Sequence, residues 1–135
     1  MLDHIMTLDE LETLALEIHE FLQINCSEDP EEVSERGAQL NVYMAISGKM
    51  LADAKYWQDV AINQNTILVN ETYKSMAPTT KNNLIKSMCQ RENYMAIWIE
   101  RINRSCTHQQ SFMITMISKA KAEMQMSGHM GTVRN

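Results

Sequence analysis

The chain has 135 residues, 44% of them hydrophobic, and a net charge of −5 at pH 7. This length fits one domain, and the hydrophobic content excludes a disordered chain. Aromatic residues make up only 6%, with 4 glycines and 2 prolines, so strand formers and turn residues are too few for a sheet protein. The composition predicts a single all-α domain over residues 1–135.

The negative charge is concentrated at the N-terminal end. Residues 1–36 contain 11 acidic side chains and one arginine, whereas residues 37–135 contain 11 basic and 6 acidic side chains. One interpretation is a body that binds a polyanion and carries an acidic arm. The other interpretation is that the arm pairs with the body within the same chain.

The first predicted helix, residues 7–25, opens with a capping box. Thr7 and Glu10 have the spacing at which a hydroxyl and a carboxylate satisfy the free backbone N–H groups of a first turn. Apolar residues then recur at steps of three and four, at Leu8, Leu11, Ala15, Ile18 and Leu22. This pattern predicts an acidic amphipathic helix.

The second and third predicted helices, residues 29–70 and 80–126, are long and carry heptad stripes. Pro30 and the acidic residues around it suit the first turn of the second helix. The stripe of the second helix is Leu40, Tyr43, Ser47, Met50, Ala54, Trp57, Ala61, Gln64 and Leu68. The stripe of the third is Ile85, Met88, Glu92, Met95, Ile99, Ile102, Cys106, Gln109, Met113, Met116, Ala120 and Glu123. Residues 127–135 are predicted to be a flexible tail.

A turn containing Pro78 joins the two long helices, which predicts a long antiparallel hairpin, coiled-coil-like, with the first helix added to it. The expected register places Ser47 level with Cys106, and Tyr43 near enough to Gln109 to satisfy its amide. The predicted hairpin is elongated and exposes much surface, so we expect a homo-oligomer. The apolar residues that favour association are Phe112, Met113, Ile114, Met116 and Ile117.

The residue types used in catalysis and metal binding do not form a recognisable site. Cys106 and His108 are two positions apart, so on a helix they point about 200° apart and cannot act together. The spacing of the other histidines and cysteines matches no zinc motif. Glu92 is either a buried acid or a carboxylate paired with a polar neighbour such as Gln64. The sequence predicts a protein that is not an enzyme, with no catalytic residue, metal or cofactor; a small enzyme using Glu92 or Cys106 is a remote third class.

The basic residues of the third helix are the candidate nucleic-acid-binding residues. They are Arg101, Arg104, His108, Lys119 and Lys121. The first three share one side of the helix, and the aromatic residues Tyr94 and Trp98 precede them. Cations beside aromatic rings suit single-stranded nucleic acid, because phosphates bind the charges and bases stack on the rings. The alternative is a solvated helix face on which Glu100 pairs with Arg104.

Cys26, Cys89 and Cys106 are an odd number of cysteines without a CxxC pair. Together with the lack of a signal peptide, they predict reduced thiols and a cytoplasmic location. No apolar run is long enough to cross a bilayer, so no membrane partner is expected.

The blocks ERGAQLNVYMAISGKMLADAKYWQDVA and ENYMAIWIERINRSCTHQQSFMITMISKAKAEM resemble small phage- or prophage-encoded helical proteins. In size and long-helix layout, residues 35–124 also resemble the UvsY-type phage recombination mediators. The resemblance implies assembly into rings, help in loading a recombinase onto single-stranded DNA, and a location in the bacterial host cytoplasm. It implies no role for any single residue, and the acidic N-terminal segment departs from it.

These observations predict a non-enzymatic helical accessory protein that self-associates and binds single-stranded nucleic acid in recombination or replication. The alternative is a structural or adaptor protein that binds only other proteins.

Overall fold

The computed structural model describes residues 4–133, with side chains described as far as residue 128. Within that range the chain forms four α-helices and no strand, which confirms the predicted all-α class. The helices are α1 (Leu8–Gln23), α2 (Pro30–Thr72), α3 (Pro78–Met88) and α4 (Gln90–Val133). The long helices α2 and α4 pack antiparallel as the predicted hairpin, and α1 lies in the groove between them.

The starts of α1 and α2 follow from their capping residues. The Thr7 hydroxyl accepts a hydrogen bond from the Glu10 backbone N–H (3.2 Å) and donates one to the Glu10 carboxylate. Asp29 caps α2 by accepting from the Glu32 backbone N–H (3.3 Å), and Pro30 occupies the first turn, where its missing N–H costs nothing. Both helices therefore begin at the positions that the sequence predicts.

The core lies where the three helices meet. Leu11, Ala15 and Ile18 of α1 are fully buried. The buried residues that α2 and α4 contribute to this cluster are Val33, Leu40, Tyr43, Met50, Ala54, Met95, Ala96, Ile99, Ile102, Cys106 and Met113. Most of both predicted stripes is thus confirmed as packing.

Side-chain hydrogen bonds join α2 to the opposite arm of the hairpin at intervals along its length. The Gln110 amide donates to Asn41 (2.8 Å), and the Asn103 amide donates to Ser47 (2.9 Å). Further along, Gln58 donates to Asn93 (2.8 Å) and Asn65 to the Cys89 sulfur (3.4 Å). These bonds place the register within one helical turn of the predicted one.

The predicted third helix is in fact two helices, because the chain turns more tightly at Cys89. The Cys89 backbone N–H bonds to the Lys86 carbonyl three residues back (3.2 Å), at φ −109° and ψ 24°. The tighter turn rotates the faces of α3 and α4 relative to each other about the helix axis. As a result Cys89 is buried against Val69 and Ile85, while Met88, the predicted stripe residue, is exposed.

The stripe of α2 also shifts at its far end. Val69 is fully buried and the predicted Leu68 is 51% exposed, as Gln64 is exposed. A straight helix repeats every 3.6 residues, so a heptad pattern drifts away from the contact over successive turns. The predicted stripe follows the heptad, whereas the observed burial follows the straight helix.

Gln109 is satisfied by α1 and by Arg36 of α2, and not by Tyr43 as predicted. Its amide donates to the Leu22 carbonyl (3.0 Å), and its oxygen accepts from Arg36 (2.8 Å). Tyr43 instead packs edge-on against Phe21, with ring centroids 5.0 Å apart. The C-terminal end of α1 packs at this level of the hairpin. The predicted register paired only the two long helices, so it did not include this contact.

The helix α4 continues to Val133, beyond the predicted end at Met126. Residues 127–133 of the predicted tail are therefore helical, and residues 134–135 lie outside the described range. Gly128 is tolerated because a glycine in a helix costs only about 1 kcal/mol relative to alanine. Side chains 121–128 are all exposed, so this end of α4 projects beyond the core.

Candidate interface on the outer face of α4

One side of α4 packs on α1 and α2, and the opposite side is exposed along about seven turns. We call this exposed side the outer face of α4. Its residues are Tyr94, Ile97, Arg101, Arg104, Ser105, His108, Phe112, Thr115 and Lys119. The heptad stripe produces this geometry, since the residues that are not needed for packing fall on the other side of the same helix.

Four of the five predicted nucleic-acid-binding residues lie on the outer face: Arg101, Arg104, His108 and Lys119. Lys121 does not, because it follows Lys119 by two positions and therefore points about 200° away from it. The predicted basic strip is shorter than the sequence suggested.

The positive charge of the outer face is partly offset by its neighbours. The Arg104 guanidinium donates to the Glu100 carboxylate (3.0 Å), as the solvated-face alternative predicts. Both side chains are well exposed, so this pair contributes only about 0.3–0.5 kcal/mol. Lys119 lines a groove together with Glu28, which belongs to the acidic segment before α2.

Large apolar side chains lie on both sides of the two arginines along the outer face. Tyr94 is 63% exposed, Ile97 53% and Phe112 60%. Trp98, by contrast, is half-buried at the edge, where its ring meets His19 of α1 with centroids 6.2 Å apart. An exposed row that combines aromatic rings, an isoleucine and arginines is typical of a surface that contacts another macromolecule.

The helix α1 borders the outer face along its length. Arg101 and Ser105 line a groove of about 430 Å³ together with His19 and Gln23 of α1. At the other end Arg91 bonds to Asp9 (2.6 Å) and lies 3.5 Å from Glu12. The hydrogen bond from Arg91 to Asp9 raises the pKa of Arg91. The acidic arm therefore pairs with the body here, which agrees with the second interpretation of the charge asymmetry.

The residues considered for catalysis are separated. Cys106 is buried, and burial raises the pKa of its thiol, which makes it a poor nucleophile. His108 is exposed on the outer face, Glu92 is half-buried, and Gln64 is exposed. Among the residues that the structure describes, no three His, Cys, Asp or Glu side chains are close enough together to hold a metal ion. The three cysteines are free thiols.

A second cavity of about 360 Å³ lies between the α1–α2 connection and α4. The cationic side chain that lines this cavity is Arg36, whose guanidinium already donates to the Phe21 carbonyl (3.3 Å) and to Gln109. It also stacks over the Phe21 ring at 4.6 Å. These contacts make Arg36 part of the packing of α1, so it is not a binding group for a ligand.

Sequence reasoning missed the structural roles of Arg36 and Asp53. Asp53 is buried next to the stripe residue Ala54, and it accepts a hydrogen bond from the Met6 backbone N–H (3.0 Å). In the sequence, the only indication of this role is that an aspartate lies directly beside a residue of the apolar stripe. The identity of its partner depends on where the chain before α1 lies, which no spacing shows.

Over the range described, none of the helices has a stretch both long and apolar enough to span a bilayer. No protein-family model matches the sequence, no curated protein is significantly similar to it, and no solved structure matches its fold.

Proposed function

We propose that this chain is a non-enzymatic accessory protein that self-associates and acts by holding protein partners on the outer face of α4. The observation that carries the proposal is the row of exposed Tyr94, Ile97 and Phe112, which lie before and after the two arginines of that face. Apolar residues in such a row gain free energy only when another surface covers them. Its setting is the cytoplasm, and the host cytoplasm if a phage encodes it.

Light scattering after size exclusion tests self-association. The chain has a mass of 15.6 kDa, and the proposal requires a larger particle at micromolar concentration. A particle of one chain mass at every concentration would remove self-association from the proposal.

Single-stranded nucleic acid is a second candidate partner for the same face. Arg101 and Lys119 supply charge, and Tyr94 and Phe112 are exposed rings on which bases could stack. The resemblance to phage recombination mediators supports this candidate. The bordering acidic residues of α1 and of the α2 start oppose it, because they repel phosphates.

Fluorescence anisotropy with a labelled oligonucleotide tests the nucleic-acid candidate. Changing Arg101, Arg104 and Lys119 together to Ala should weaken binding and lower the salt slope by roughly 0.7 for each phosphate that the variant no longer neutralises. The control is Lys55→Ala with Lys121→Ala, which removes two exposed cations that are not on the outer face. Absence of binding by the unchanged chain, or binding that survives the triple substitution, rules this candidate out.

A further inference from the structure

We infer that the C-terminal end of α4 binds the same segment of a second copy of this chain, as an antiparallel helix pair centred on residue 121. This inference rests on the proposed function, because it gives the proposed self-association its contact. The pair covers Phe112 and leaves the part of the outer face from Tyr94 to Arg104 free for other partners. Three observations carry it: a helix end that leaves the core, a stripe that continues along it, and an order of charges that complements itself.

The end of α4 extends past the start of α2. Counted from the hydrogen bond between Gln110 and Asn41, the first residue of α2 lies about level with residue 121 of α4. The helix continues to Val133, about 18 Å further, and its described side chains at residues 121–128 are all exposed. Short helices outside a core are marginal in water, because most helical stability in proteins comes from packing of one face. This segment is therefore stabilised when another surface covers it.

An amphipathic stripe runs along this end of α4. Its members follow steps of four and three, which place them on one side of the helix; we call them the C-terminal stripe, and they are Phe112, Met116, Lys119, Glu123 and Met126. Phe112 is 60% exposed and Met126 65% exposed. Met116 lines an open groove of about 330 Å³ between α4 and Glu28. The side chains that flank the stripe are small, which lets a second helix approach closely; they are Thr115, Ala120, Ala122 and Ser127.

The order of residues in the C-terminal stripe specifies an antiparallel pair. With the centre at residue 121, Lys119 of each copy lies level with Glu123 of the other, and Met116 lies level with Met126. A shift of one chain by seven residues sets charged residues opposite apolar ones, and a parallel pair sets Lys119 opposite itself. Polar pairs of this kind fix the register and the orientation of paired helices. The contact is isologous and closes with two chains.

The two cores do not obstruct this pair. The α2 helix of each copy begins near the centre and runs away from it, so the projecting end of one α4 lies along the packed part of the other. Lys121, at the centre, lies on the opposite side of the helix from the stripe, so its two copies do not meet. Arg101 and Arg104 lie outside the pair, which spans residues 112–130 of each copy.

Charge reversal with rescue tests the pairing of Lys119 with Glu123. The single changes Lys119→Glu and Glu123→Lys each set like charges opposite each other at two symmetry-related points, so each variant should dimerise about tenfold more weakly. The chain that carries both changes exchanges the two charges and should dimerise like the unchanged chain. An equimolar mixture of the two single variants should do the same. Light scattering after size exclusion over a concentration series measures each mass.

Two methionines provide a matched test of the apolar part of the stripe. Met126→Asp places a charge in the contact and should weaken the dimer by at least about tenfold. Met124→Asp places the same charge at a 71% exposed methionine that points about 200° away, and it should leave association unchanged. All the changed side chains are exposed, so circular dichroism should show that every variant remains folded.

Four results overturn the inference, and they can be told apart. If the unchanged chain associates and the single reversals and Met126→Asp associate equally well, the contact lies elsewhere and self-association itself stands. If the single reversals dissociate and neither the exchange nor the mixture restores the dimer, Lys119 and Glu123 do not meet. Equal weakening by the two methionine changes places the contact off the stripe. A chain that is monomeric at every concentration removes the dimer and the proposed self-association together.

Discussion

Asp53 fixes the chain before α1 to the side of α2. The residue is 4% exposed, and its carboxylate accepts from the Met6 backbone N–H and from Lys49 (2.5 Å). The Trp57 indole N–H donates to the Met6 carbonyl (2.6 Å). Side chains of α2 therefore bind both the N–H and the carbonyl of Met6. These bonds position the start of α1, and therefore the acidic residues Asp9 and Glu12 that α1 presents beside α4.

We predict that Asp53→Ala destabilises the fold by about 1–3 kcal/mol, because it leaves the buried Met6 N–H without an acceptor and Lys49 without its carboxylate. Urea unfolding followed by circular dichroism measures this difference. The matched control is Asp59→Ala, which removes an exposed carboxylate from the same helix. Equal stability of the two variants would show that the bonds to Asp53 contribute nothing net.

The helix α4 is both the packed arm of the hairpin and the candidate interface, and the two roles separate around its axis. Ile99 is fully buried in the core, whereas Ile97, two residues earlier, is 53% exposed to solvent. Between Tyr94 and Lys119, the effect of a substitution should therefore depend on the face of the helix that it changes.

Ile99→Asp is expected to unfold the hairpin or to destabilise it by more than the roughly 2–5 kcal/mol of a buried Ile→Ala change, because it adds an unpaired charge to an apolar contact. The control, Ile67→Asp, places the same charge at a 60% exposed isoleucine of α2. Its melting temperature should stay close to that of the unchanged chain. If the two variants melt alike, the assignment of the packed stripe is wrong.

The stripe of α4 could be predicted because its residues repeat at the spacing of one helix face, as Ile99 and Cys106 show. The burial of Val69 instead of Leu68, and of Cys89 instead of Met88, could not be predicted from this spacing. It depends on the rotation of each helix face over successive turns and on the tight turn at Cys89. The partners of Gln109 depend on the docking of α1. In the candidate site, the shared side of the two arginines and the histidine follows from spacing alone, whereas the position of the acidic residues of α1 beside them requires the tertiary structure.

At the scale of the whole described chain, α1 covers only part of the hairpin, and the C-terminal end of α4 projects from the core. From residue 121 to residue 128 every side chain of α4 is exposed. Met113 is buried, and Met116 and Ile117 pack against the core. The boundary between packed and projecting helix therefore lies close to Ala120.

A chain shortened to end at Ala120 should unfold in urea within about 0.5 kcal/mol of the full chain at a concentration where both are monomers, because the described side chains that it loses, at residues 121–128, are all exposed. A chain shortened to end at Phe112 should lose at least about 2 kcal/mol, since the buried Met113 goes with it. A large loss from the first truncation would mean that residues 121–135 pack on the domain.

The hydrogen bonds that cross the hairpin restrict where an insertion or a deletion can occur in the chain without loss of the fold. One residue inserted between Asn41 and Asn65 turns every later residue of α2 by about 100° and moves it by about 1.5 Å, so Asn65 no longer faces Cys89. Deletion has the opposite effect and the same result. Related sequences should therefore differ in length by paired changes in both arms that add or remove whole heptads, and single-residue gaps should fall in the connections at residues 24–29 and 73–77.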